Sequence, residues 1–160
     1  MRLGIVSDTH GHVAFTQEAV RMLSSLGVDV VLHCGDIGSP DIVPLFSAWP
    51  THFVFGNVDY DSRELRAAIA AAGQTCHGLC GDLTLAGVRV GLLHSHDAQL
   101  FQKMIASGDW QLICYGHTHV AEKHQEGPTW VLNPGALYRA DPHSLAIVDL
   151  PDLTIHHVKL

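Results

Sequence analysis

Six residues into the chain an apolar run breaks off: RLGIV gives way to SDTH, and the same change from core-type to polar residues recurs four times further on. RLGIVSD reads as a buried strand. The HVAFTQEAVRMLSSLG that follows puts Phe15, Ala19, Met22, Leu23 and Leu26 on one helical stripe, with Gly27 as a stop. DVVLHCGD predicts a second strand, SPDIVPLFSAW a short helix opened by Ser39 and Pro40, and THFVFGN a third strand. Asp61 and Glu64 form a capping box for DSRELRAAIAAAG, whose Leu65, Ile69 and Ala72 would face a core. Strands alternating with helices predict parallel pairing through right-handed crossovers.

Beyond Gly78 the texture changes. DLTLAGVRVGLLHS predicts a hairpin turned at Ala86-Gly87, DAQLFQKMIASG a helix and WQLICYG a strand. After Val120, turn signals at Glu126-Gly127-Pro128, Asn133-Pro134-Gly135 and Pro151-Asp152 predict antiparallel strands with little helix. The expectation is a mixed α/β protein with two sheets. No repeat or linker marks a boundary, so residues 1–160 are expected to form one domain.

Composition narrows the function. With 47% hydrophobic and 16% charged residues the chain has the balance of a folded protein. A formal charge of -7 with nine Lys and Arg excludes a broad electrostatic footprint for nucleic acid or anionic lipid, so any bound phosphate must be neutralised locally. No apolar run approaches the ~20 residues of a membrane span, and the N-terminus turns polar too early for a secretion signal, which predicts a cytoplasmic protein. Cys34, Cys76, Cys80 and Cys114 show no CxxC spacing, and Cys34 and Cys114 read as small core hydrophobes. The excess is in histidine, with 13.

The polar strand ends are SDTH, GD at Gly35-Asp36, GN at Gly56-Asn57, HSH at His94 to His96, and GHTH at Gly116 to His119. Each delivers metal-ligand residue types. In α/β sheets sites form beyond the carboxyl ends of strands, so segments far apart in sequence can meet there. Residues i and i+2 of an extended segment point the same way roughly 6 to 7 Å apart, which suits Asp8 with His10 and His117 with His119 for shared coordination. Carboxylates, imidazoles and an amide oxygen favour manganese, iron(II), zinc or nickel over magnesium or calcium alone. The glycines before Asp36, Asn57 and His117 allow a tight turn there. The other histidines, His33, His52, His77, His124, His143, His156 and His157, read as surface or hydrogen-bonded polar residues.

SDTHG, HCGDIG, FGNVD, LLHSH and YGHTH, in this order, resemble the motifs of the calcineurin-like metallophosphoesterase superfamily, and the short chain resembles its small phosphodiesterase branch. The likeness extends to NPGALY, similar to the family's NPGS stretch. It implies a four-layer αββα sandwich of two mixed β-sheets flanked by helices. It also implies two divalent metal ions, manganese first among the candidates: one on Asp8, His10, Asp36 and His119, the other on Asp36, Asn57, His94 and His117, with Asp36 bridging. A metal-bound hydroxide would then attack a small phosphoester in line. The residues expected to carry the chemistry are Asp36, Asn57 and His96.

The chain departs from the pattern at Val58, where many relatives have the histidine thought to protonate the leaving group. Losing a general acid costs ~10²- to 10⁴-fold on poor leaving groups and less on good ones, which predicts a preference for activated or diester substrates. His96 is the replacement donor, unless it is simply solvated or caps the next helix, and His12 is a weaker candidate; Asp59 is expected to orient a ligand histidine. Ser95 and Ala136 replace the family's usual glycine and serine. Two alternatives stand: a phosphomonoesterase, and a non-catalytic scaffold, since the fold also resembles a retromer subunit. Exposed apolar edges would allow a homo-oligomer.

Overall fold

Period-2 alternation decides how the layers stack. In the computed structural model, which describes residues 1–59 and 62–160, the first sheet holds β1 (Arg2–Val6), β2 (Val30–His33), β3 (Thr51–Phe53) and β4 (Thr75–Cys76), all parallel. The second holds β5 (Cys80–Leu85), β6 (Val88–Leu93), β7 (Leu112–Cys114), β8 (Ala121–Glu126) and β9 (Thr129–Pro134). The chain then returns to the first sheet with β10 (Ser144–Asp149), antiparallel to β1, and β11 (Thr154–Lys159), antiparallel to β10. The orders are β11-β10-β1-β2-β3-β4 and β5-β6-β7-β9-β8, both mixed.

One face of each strand meets the other sheet: Leu3, Ile5, Val30, Leu32, Val90, Leu92, Leu112 and Cys114 share a buried core between the sheets. The intervening residues face outward under helices. Val6, Val31 and Phe53 pack with Ala19 and Leu23 of α1 (Val13–Leu26) and with Leu65 and Ile69 of α2 (Arg63–Ala71). Leu93 and Ile113 pack with Met104 and Ile105 of α3 (Ala98–Ser107). The result is the expected four-layer αββα sandwich. Each buried Leu, Ile or Val contributes roughly 1.5–3 kcal/mol, so three apolar layers supply most of the driving force.

The local signals act as their chemistry dictates. Gly27 and Gly108 close α1 and α3 with left-handed φ of 64° and 67°. The β5–β6 hairpin turns on Ala86 and Gly87 at φ 48° and 80°, the double positive-φ turn that suits strand twist. The short helix expected after β2 forms, opened by Ser39 and Pro40. Pro40–Phe46 is a 3-10 helix, not an α-helix; Pro44 inside it lacks the N–H an α-helical bond would need. The capping box falls on Asp61, outside the described residues, and Ser62 at the start of α2 makes no side-chain cap bond. No helix among the described residues is long and apolar enough to cross a membrane.

Candidate metal centre

β1, β2, β3, β6 and β7 release their chains at the same edge of the sandwich, and the five polar segments meet there. The pairs expected from strand pleating are made differently. β1 ends at Val6 and β7 at Cys114, before the ligand-type residues begin. Asp8 (φ 57°), His10 (46°), Asp36 (53°), His117 (76°) and His119 (60°) all lie in the left-handed region. Non-glycine residues adopt it rarely and at a cost, and clusters of them mark sites that the surrounding structure holds in place. Turns, not an extended strand, therefore aim Asp8 with His10 and His117 with His119. The Asp8 N–H donates to the Gly35 carbonyl at 3.1 Å and the His10 N–H to the Asp36 carbonyl at 2.9 Å, which locks the first two segments together.

The side chains form two groups. Asp8, His10 and His119 make one; Asp8, Asp36 and His94 make the other. Asp8 Oδ1 lies 3.8 Å from His10 Nε2, 3.2 Å from His119 Nε2 and 3.9 Å from His94 Nε2. Asp36 presents Oδ1 to His94 Nε2 at 3.3 Å and Oδ2 to His10 Nε2 at 3.6 Å, so its two oxygens face the two groups. Asp8 therefore also faces both groups, where the resemblance gave it to one. Asn57 Oδ1 approaches His94 Nε2 at 3.1 Å. His117 stands at the exposed rim, its ring centroid 5.1 Å from that of His94.

Whether cations fit here is decided by the hydrogens. His94 Nδ1 lies 2.8 Å from the Cys34 carbonyl and His119 Nδ1 3.2 Å from the Arg139 carbonyl. A carbonyl only accepts, so each Nδ1 carries the proton and each neutral ring turns its Nε2 lone pair into the centre. There the lone pairs meet carboxylate and amide oxygens that are also acceptors. Asp8 is fully buried, and its Oδ1 has no hydrogen-bond donor among the described residues. Buried acceptors facing one another without a donor are costly unless a cation lies among them. The residues fit divalent metal.

The electrostatics agree. Burial alone would lower the His94 pKa, but the adjoining carboxylates of Asp36 and Asp8 outweigh it and raise the value. The Asp8 carboxylate raises His119. Burial opposes ionisation of Asp36, yet the neighbouring His94 and the bond from the Val58 N–H leave its pKa lowered. The carboxylates thus draw positive charge into this space.

A supporting frame positions the ligands. Asp59 was expected to orient a histidine; instead its carboxylate accepts the backbone N–H groups of Ile37, Gly38 and Gly56 at 3.1, 2.9 and 2.9 Å. It binds the Asp36 loop to the Asn57 loop. Gly56 is required for room: a methyl there would overlap Asp36 Oδ1. Asn133 of the NPG stretch donates to the Gly116 carbonyl and Thr118 Oγ1 at 3.1 and 3.0 Å, holding the GHTH turn. Ser95, at φ 75°, donates to the same Gly116 carbonyl at 3.2 Å. Ala136 is buried.

The two proton-donor candidates differ. His96 is exposed, its ring centroid 5.6 Å from His94 and 6.5 Å from His117, and burial with those neighbours lowers its pKa. His12 is engaged elsewhere, with Nδ1 accepting the Phe15 N–H at 3.4 Å to cap α1 and its ring stacked on Phe15 and Tyr138. Val58 is 41% exposed beside Asn57, and its N–H donates to Asp36 Oδ1 at 3.0 Å.

His33 is hydrogen-bonded, one of the two readings its sequence allowed, but its part in the frame carried no sequence signal. It is fully buried; Nδ1 accepts the Gly35 N–H at 3.2 Å, which leaves Nε2–H to donate to Thr9 Oγ1 at 3.1 Å. Thr9 in turn reaches the Ile37 carbonyl at 3.0 Å. The neutral imidazole is a strut between the Asp8 and Asp36 segments. Burial pushes its pKa down to about 3 from the ordinary 6.5. The unfolded chain therefore binds this proton more readily, and stability falls as pH drops from 6.5 toward 3. Between pH 6.5 and ~5 the metal-free protein should lose about 2 kcal/mol through this group alone. Urea unfolding of wild type and His33→Gln at the two pH values measures it; equal pH slopes would contradict the buried neutral state.

The calcineurin-like phosphoesterase superfamily domain matches residues 1–152. The phosphodiesterase MJ0936 of Methanocaldococcus jannaschii is 26% identical over 140 residues, which cover 84% of this chain and 83% of that one. A solved structure described as a novel archaeal phosphodiesterase superposes with a TM-score of 0.92 at 23% identity, covering 100% of both chains. Chaetomium thermophilum Vps29 superposes at 0.72 with 14% identity, over 99% of this chain and 96% of that one. With the match running through nearly the whole chain, the protein belongs to the calcineurin-like phosphoesterase superfamily.

Proposed function

We propose that this protein hydrolyses phosphate esters, diesters in preference to monoesters, with two divalent metal ions held by Asp8, His10, Asp36, Asn57, His94, His117 and His119. The observation that carries this reading is the buried meeting of acceptors around Asp8 Oδ1, which has no donor among the described residues. Family membership and the likeness to MJ0936 support it. Asp8, His10, Asp36 and His119 would hold one ion; Asp36, Asn57, His94 and His117 the other. The donor set suits manganese, with iron(II), zinc and nickel close in affinity, so availability would choose among them. Bound there, the ions would supply charge to polarise a phosphoryl oxygen and to lower the pKa of a water to about 7.

The chain's own residues prepare the centre. The Cys34 and Arg139 carbonyls fix the ring tautomers of His94 and His119. Asp36 directs one oxygen to each group. His96, on the His94 side and open to solvent, would pass a proton to a departing oxygen. With Val58 unable to do so, substrates whose leaving group departs without a proton are favoured. The substrate is a small molecule, and a cytoplasmic setting suits it.

The test is turnover of bis(4-nitrophenyl) phosphate by purified protein with manganese, lost on chelation and restored by metal. Absence of turnover with manganese, iron(II), zinc and nickel alike would overturn the reading. A scaffold role, suggested by the shared fold with Vps29, predicts binding partners and no turnover.

A further inference from the structure

We propose that the cavity beside His94 and His96 seats the leaving group, and that it selects an uncharged aromatic alcohol. This inference rests on the phosphodiesterase reading and adds the chemical class of the reacting half of the substrate. The cavity measures about 50 Å³ and is walled by Leu79, Leu93 and Leu100, with His94 and His96 on its polar side. It opens directly onto a candidate metal ligand.

Leu79 is 58% exposed, more than any other large hydrophobic side chain among the described residues. Its position is fixed: the preceding Gly78 carbonyl accepts the Phe55 N–H at 2.7 Å, tying this loop to the strand end that leads into Asn57. Val58, 41% exposed, follows Asn57. Single exposed apolar residues are ordinary on protein surfaces. Here Leu79 forms the wall of a cavity that the candidate ligand His94 also lines. The volume is smaller than an aromatic ring, so it would admit only a ring edge, with Leu79 at its mouth.

Two further features favour an uncharged aromatic group. Asp97 also lines the cavity, and its carboxylate is held there by accepting the Leu100 N–H at 3.0 Å as the cap of α3. It repels an anionic substituent. In the hydrolysis itself, the water oxygen forms a bond to phosphorus while the bond from phosphorus to the leaving oxygen breaks and its electron pair stays on that oxygen. The proton released by the water goes to solvent or to His96. A phenol oxygen tolerates that electron pair without prior protonation, whereas an alkyl alcohol oxygen does not. The apolar wall and the apolar residue at position 58 thus select the same kind of group.

The experiment has two arms. In the first, manganese-loaded wild type and Leu79→Lys are compared on two aryl phosphodiesters whose phenols match in acidity, one uncharged and one bearing a sulfonate. Wild type should prefer the uncharged ester by about tenfold in kcat/KM, and Leu79→Lys should erase or reverse the preference through KM. In the second, phenol is titrated into metal-free protein and leucine methyl resonances are followed. Those of Leu79, Leu93 and Leu100 should shift, and those of Leu93 and Leu100 should shift less in Leu79→Lys. If phenol moves none of these methyls, or wild type treats the two esters alike, the seat is disproved and the phosphodiesterase reading is untouched. No turnover of either ester with manganese, iron(II), zinc or nickel would overturn both.

Discussion

Replacing Asp36 by asparagine should lower diester hydrolysis by about 10²- to 10³-fold, and by alanine further still. Asp36 Oδ1 and Oδ2 face His94 and His10 at 3.3 and 3.6 Å, so no other side chain in the centre presents separate oxygens to both groups among the described residues. Its backbone is left-handed at φ 53°, a conformation that asparagine tolerates and alanine resists by roughly 1–2 kcal/mol. Asparagine therefore isolates the lost charge, while alanine adds strain and leaves the Val58 N–H without its acceptor. Kinetics on the activated diester with circular dichroism as a fold control measure the effect. Near-wild-type activity in a folded Asp36→Asn protein would remove this residue from the chemistry.

The second large effect is a gain. Val58→His should raise hydrolysis of an alkyl phosphomonoester by about 10²-fold and change an activated aryl diester little, because only the poor leaving group needs the proton. The position permits the change. Val58 is 41% exposed, packs in none of the three core clusters, and is held by its own N–H to Asp36, a bond that does not depend on the side chain. An unchanged monoester rate would mean that position 58 does not face the leaving oxygen and that the diester preference has another origin.

Much of the fold could be read from the chain because its two periodicities are clean. Leu3, Ile5, Val30 and Leu32 alternate with outward residues, and Ala19 and Leu23 recur at helical spacing, so β1, α1 and β2 were visible. β8 was visible only through its flanking turns: Ala121–Glu126 is exposed throughout on a sheet edge, where no burial imposes alternation. β4 is two residues long and carries no pattern of its own.

The centre was legible as a set of residue types at strand ends, since its candidate ligands are side chains and those are written in the sequence. Its frame was not. The Cys34 and Arg139 carbonyls that set the ring tautomers are backbone groups with no sequence signature. The left-handed φ of Asp8, His10, Asp36, His117 and His119 arises from long-range bonding between loops, which no local propensity encodes. His33 followed the apolar pattern of its strand, and nothing nearby told that Thr9, 24 residues earlier, would meet it. Asp59 looked like a partner for histidine because carboxylates often are; its three backbone bonds depend on two loops meeting.

Counting metal per chain tests the central claim most directly. Folded protein saturated with manganese or zinc, freed of unbound ions by gel filtration and assayed by elemental analysis, should carry two ions, and Asp36→Asn should carry fewer. A well-folded wild-type chain that keeps one ion or none would contradict the paired centre.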